Sequence, residues 1–317
     1  MHGEIGTEFK TNQSTKIDFR SLYSILWHKK LTIIIITTFF IVLSIGYSLS
    51  LPNIYKSTMI LAPTTSSGSN LSNLTSKYSN VARMAGISLP STKEIDKVDM
   101  GIEIIKSLDF FKSFVSKNNL FFELQASDGW NSEDNTLEIN PAIYNTISNK
   151  WVYQNQFSVD GKPSIQSAHR DFLNDLEIVI DPKTSFVIIS FEHFSPHISK
   201  KLLDLLVLEI NQKIKAEDIM VASNSIKFLK DEANKNKLTS ISTAINKLIE
   251  QQIEVIAFAN ATPEYLLKTL SSPSAPEAKS SPNRPLIVIL SIICGLLISL
   301  IIILIQYDGK LAKTTNR

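Results

Sequence analysis

Two apolar runs, residues 31–51 and 286–305, constrain most strongly what this 317-residue chain can fold into. Each is about 20 residues long, and a helix of that length, rising ~1.5 Å per residue, crosses a hydrocarbon core of ~30 Å. In the second run 16 of 20 residues are Leu, Ile or Val, and neither run contains a charged residue. A pair of buried core helices is the competing reading. Such helices are usually shorter and keep a polar edge, so both runs read as membrane spans.

The flanking charge sets the orientation. Five Lys/Arg stand against three Asp/Glu before the first run, and three against one after the second. The 234 residues between carry 24 Lys/Arg and 26 Asp/Glu. Short basic flanks place both termini in the cytoplasm and residues 52–285 across the membrane. A cleaved signal peptide would have a shorter leader than 30 residues and an apolar core of roughly 7–15, so the first run reads as an uncleaved anchor. The single cysteine, Cys294, lies in the second run, so no disulfide forms within one subunit and the central region must hold together by packing. A net charge of +2 gives no reason to expect nucleic acid as a partner.

Residues 17–30 carry Ile17, Leu22, Ile25 and Leu26 at helical spacing, with Trp27 at the membrane edge, and predict an interfacial helix. Residues 55–62 are β-branched and aliphatic and end at Pro63, which predicts a strand. Residues 64–77 read as a Ser/Thr/Asn-rich loop and 81–89 as a short apolar helix or turn. Over 96–118, Met100, Ile104, Ile105, Leu108, Phe111 and Val115 recur every three or four positions and predict one helix. Residues 127–150, dense in Asn, Asp and Ser, read as an irregular excursion. Asp128, Glu133 and Asp134 lack the spacing of a calcium loop.

A helix at 165–174 is expected next, then two β-branched runs, 176–180 and 185–191, joined by Asp181-Pro182-Lys183-Thr184, a hairpin signal. Glu192, His193 and His197 invite a metal reading, but Pro196 between the histidines prevents one helical turn from presenting both. Ser195-Pro196 reads instead as a helix N-cap with proline at the first helical position.

No proline or glycine occurs between His197 and Thr262. Leu202, Leu206, Ile210 and Ile214 form a stripe at four-residue spacing, continued by Val221, Phe228 and Leu229. A helix of about 40 residues, ending near Leu238, would reach ~60 Å. Residues 239–243 are weak helix formers and are expected to turn the chain back into a second helix at 244–259. An ordinary helical hairpin explains this pattern; its length favours a protruding arm whose stripe packs on neighbouring copies. Residues 265–270 predict a last strand beside the one at 55–62. Pro273, Pro276, Pro282 and Pro285 then make a semi-rigid extended strut. In the second span Ser291, Gly295 and Ser299 recur every four residues, the pattern that admits a close helix neighbour.

The leader residues Ile17, Asp18, Leu22, Leu26, Trp27, Lys29 and Lys30, the strand entry Ile54–Tyr55–Lys56–Ser57, the long charged helix, the proline strut and the short basic tail resemble, in that order, the Wzz family. These are chain-length determinants, or polysaccharide co-polymerases, of bacterial lipopolysaccharide O-antigen. The resemblance implies an α+β membrane protein, with two transmembrane helices flanking a periplasmic α/β base domain and a long protruding helical arm. The expected divisions are a cytoplasmic leader at 1–30, spans at 31–51 and 286–305, base at 52–194, arm at 195–260, return strand and strut at 261–285, and cytoplasmic tail at 306–317. The implied partners are copies of the same chain, the Wzy polymerase, the growing polysaccharide and the lipid bilayer. One related subgroup carries a tyrosine-kinase domain. Only 12 residues follow Ile305 here and no phosphate-binding G-x-x-x-x-G-K-[ST] occurs, so that domain is expected to be absent.

Catalytic motifs find no support: there is no G-x-S-x-G, no metal-ligand spacing and no Gly-rich phosphate loop among ten glycines. The expectation is a non-catalytic, cofactor-free oligomeric scaffold of the inner membrane that regulates the modal length of O-antigen. A two-span periplasmic sensor or ligand-binding module is the alternative, and a polysaccharide hydrolase fails on site chemistry.

Overall fold

The computed structural model describes residues 27, 29–64, 97–155, 158, 160–235 and 239–315. The expected interfacial helix at 17–30 and the segments at 64–77 and 81–89 lie almost entirely outside them. In chain order the elements are α1 (Lys30–Ser50), β1 (Tyr55–Pro63), α2 (Lys97–Ile105), α3 (Leu108–Asn118), α4 (Phe121–Gln125), β2 (Ser127–Asn131), β3 (Thr136–Ile139), β4 (Tyr144–Asn145), β5 (Lys150–Trp151) and α5 (Ile165–Asp175). Then follow β6 (Leu176–Ile180), β7 (Val187–His193), α6 (Pro196–Lys235), α7 (Thr239–Ala261), β8 (Leu267–Ser271) and α8 (Arg284–Thr315). They form two units, residues 1–51 with 282–317, and residues 52–281. The mixed α/β architecture with apolar helices at both ends matches the expectation.

In the first unit α1 pairs with α8, and both are long and apolar enough to cross a bilayer. A core helix of a water-soluble domain would hide such side chains, yet Leu31, Ile35, Phe39, Val42 and Leu49 are 62–68% exposed. That outward apolar surface suits lipid.

The second unit is built on a four-stranded antiparallel sheet in the order β6-β7-β1-β8. The hairpin expected at 176–191 forms with Ile180 opposite Val187. Asp181 closes its turn by accepting from the Lys183 N–H at 2.9 Å and the Thr184 hydroxyl at 2.9 Å, which holds its carboxyl below the usual range. The last strand pairs with β1 as expected, with a register shift between Ile60 and Leu61. Met59 and Leu61 of β1 and Val187, Ile189 and Phe191 of β7 are buried with the apolar side chains of α6, α3 and α5. One core results.

Two local readings need correction. The helix expected over 96–118 is two helices, because Ser107 leaves the helical backbone (φ −75°, ψ 147°) and caps α3 by accepting from the Phe110 N–H at 3.2 Å. Apolar spacing runs through that break, so periodicity could not reveal it. The excursion at 127–150 is also more regular than expected, since β2 pairs with β3 and β4 with β5. Its asparagines are the turn chemistry: Asn131 and Asn145 accept backbone N–H groups two residues on, and Asn135 and Asn149 take left-handed φ near 51°.

α6 begins at Pro196, with the Ser199 N–H reaching the Ser195 carbonyl at 3.1 Å, and runs for 40 residues. α7 packs along it. Residues 239–243, expected as the turn, belong to α7, and residues 236–238 lie outside the described residues.

Candidate functional site

The stripe assigned to contacts between copies divides in two. Leu202, Leu206, Ile210 and Ile214 are at most 1% exposed and belong to the chain's own core. They therefore offer no surface to a second copy, and the expectation that these four form an intersubunit stripe is corrected. Four-residue spacing signals burial but does not identify the covering element. Farther out, Val221 and Phe228 are 54% and 65% exposed, and Leu229 is half-buried. Phe228 and Leu229 line a shallow groove with Leu248 of α7 and the polar Asn224, Ser225 and Gln252.

The root of α6 is pinned to the sheet by polar groups that apolar patterning passes over. Ser199, fully buried, accepts from the Ser57 N–H at 2.9 Å and donates to the Phe191 carbonyl at 3.0 Å. It thus bridges residues that face each other across β1 and β7. Asn211, 3% exposed, accepts from the N–H groups of Leu266 and Leu267 and donates to the Leu267 carbonyl, at 2.7–3.0 Å. A single amide therefore satisfies three buried backbone groups where α7 returns into β8. Asp218 accepts from Tyr265 Oη at 2.6 Å and pairs with Lys97 at 2.7 Å. Burial and that carboxylate push the Tyr265 hydroxyl well up.

The proline strut is anchored along β1. Pro273 is buried and Pro276 half-buried, and the Ser274 carbonyl between them accepts from the Ser57 hydroxyl at 2.8 Å. Ile54 and Ser281 form an antiparallel bridge, with Lys279 reaching Asn53 at 3.1 Å. Pro282 is half-buried just before α8, and Pro285 sits within the first turn of α8, where its fixed φ fits the helix.

Between the apolar helices, the Ser291 hydroxyl donates to Ser44 Oγ at 2.9 Å. A Cβ on Gly295 would lie 3.2 Å from Thr37 Cα and 3.3 Å from Phe40 Cβ, so α1 and α8 approach at a distance that hydrogen alone fills comfortably. Ser299 is fully buried and donates to the Leu296 carbonyl at 2.7 Å.

His193 and His197, weighed as metal ligands, are not brought together on one centre. His193 makes backbone and serine contacts, while His197 lies 6.0 Å from the Trp130 ring. Among the described residues no three His, Cys, Asp or Glu side chains gather as a metal site.

These features define a class first: a mixed α/β unit with a 40-residue helix, carried between two helices of bilayer length. Within that class, residues 15–118, about a third of the chain, match the Wzz family model, chain length determinant protein. The resemblance to this family is borne out by the match. Two solved structures are similar at low identity. One, a full-length bacterial polysaccharide co-polymerase, aligns over 92% of this chain and 98% of its own at 15% identity and a TM-score of 0.38. The other, a fragment of WzzB, a polysaccharide co-polymerase from Salmonella Typhimurium, aligns over 72% and 100% at 10% identity and a TM-score of 0.28. No curated protein matches the chain.

Proposed function

We propose that this protein is a non-catalytic, oligomeric scaffold of the bacterial inner membrane that regulates the modal chain length of lipopolysaccharide O-antigen made by the Wzy polymerase. The match of residues 15–118 to chain length determinant proteins carries the reading. Two helices of bilayer length support the membrane location, and the basic flanks favour cytoplasmic termini with a periplasmic central unit. Ser291, Gly295 and Ser299 pack the spans together, the prolines 273, 276, 282 and 285 stiffen the return, and Val221, Phe228 and Leu229 meet neighbouring copies. The scaffold holds the polymerase and the growing chain in one geometry and makes no glycosidic bond itself.

Deleting the protein in a cell with no second homologue tests this. Polymer synthesis should continue while its lengths spread from a clustered band on a gel to a smooth decay. Loss of all polymer would indicate an enzyme, a change in amount at unchanged length a sensor, and an unaltered cluster would refute the proposal.

A further inference from the structure

The joint between β7 and α6 turns on one histidine. His193 ends β7, three residues before α6 opens at Pro196, and is 6% exposed. Its Nδ1 accepts from the Ser195 N–H at 3.0 Å, so Nδ1 carries no proton in this arrangement. The proton therefore sits on Nε2, which donates to the Glu123 carbonyl of α4 at 3.1 Å. Ser127, the first residue of β2, places its hydroxyl 3.3 Å from the same nitrogen and donates to the same carbonyl at 2.8 Å. One neutral ring thus ties together the end of β7, the last turn of α4, the start of β2 and the residue before α6.

A second proton has no place in this arrangement. It would sit on Nδ1, aimed at the Ser195 N–H, and would turn an accepted hydrogen bond into two opposed donors. It would also create a cation in a nearly closed site. The charged groups on the surrounding elements give it little help. Glu123 of α4 is the one carboxylate that favours the charged ring, and it is already paired with Lys201 of α6 at 3.1 Å. Asp128 of β2 is exposed, and Glu192 of β7 pairs with Lys56 at 3.5 Å. On α6, Lys200 pairs with Asp204 at 2.7 Å and His197 lies by Trp130.

We propose that His193 is an acid-sensitive latch, closed while its ring is neutral, whose protonation frees the first turn of α6 from α4 and β2. Burial lowers the ring's affinity for a proton, so the latch holds at neutral pH and loosens below the ordinary histidine range. The unfolded chain takes up the proton near pH 6.5 while the folded ring resists it. Joint stability is therefore complete above that pH and is lost as pH falls toward the folded midpoint.

Hydrogen exchange of the full chain in detergent, read by mass at pH 7.5 and at steps down to 5.0 and corrected for intrinsic rates, tests the latch. Peptides over 121–131 and 193–200 should lose protection by about tenfold per pH unit between 6.5 and the folded midpoint, while β1 stays protected. In His193→Gln, which keeps a donor but does not titrate, the acid step should vanish; in Asp175→Asn it should remain. Should His193→Gln fail to fold, Glu123→Gln decides: it keeps the backbone carbonyl but removes the favourable charge, so the step should move to lower pH. A flat wild-type profile, a step that persists in His193→Gln, or an unmoved midpoint in Glu123→Gln would overturn the proposal.

Discussion

At Asp175, the last residue of α5, the carboxyl is pushed up to about 6 by partial burial, with the charges of Glu192 and Asp171 adding to the effect. The residue as a whole is exposed, so the desolvation belongs to its carboxyl end, in a groove beside Glu192 and Lys106. The folded chain keeps that proton between roughly pH 4 and 6, where the unfolded chain has lost it, so this group's contribution to stability falls as pH rises through that window. Asp175→Asn should therefore raise the melting temperature at pH 7.5 and leave it unchanged at pH 4; equal shifts at both would rule out this origin. Asn211 teaches the complementary lesson about legibility. It sits on the core stripe, four residues after Val207 and three before Ile214, and that placement was the available signal. A lone polar residue on an apolar face reads by default as an edge, because sequence spacing does not tell which backbone groups will need a partner there.

Among the elements, the spans, the hairpin at 176–193, the 40-residue helix and the final strand were legible, since each pairs strong periodicity or length with a turn or proline boundary. The break at Ser107 and the two small hairpins were not, because they depend on caps and left-handed asparagines inside stretches whose composition points elsewhere. The candidate site was legible as a stripe but not as a partner. Leu206→Asp should unfold the central unit, since a charge buried in its core costs several kcal/mol. Phe228→Asp, on the exposed part of α6, should leave melting within about 0.5 kcal/mol and act only on association. Equal thermal losses would contradict the division between core and surface. For the apolar helices, Ser44→Cys with Ser291→Cys in a Cys294→Ala background should oxidise within one chain, losing free thiol without a dimer band on a non-reducing gel. A dimer band would mean that the small-residue face meets another copy instead.

For the molecule as a whole, the core accounts for the inner part of α6, while Val221 and Phe228 farther out keep large apolar surfaces. Contacts between copies through those residues would give the proposed scaffold its size. The most direct measurement is the mass of the detergent-solubilised full chain, corrected for bound detergent. A scaffold built from copies of this chain should run as one discrete species at several multiples of the 35.5 kDa subunit, with Phe228→Asp folded but smaller. A wild-type chain that runs as a folded monomer at all concentrations would contradict the scaffold.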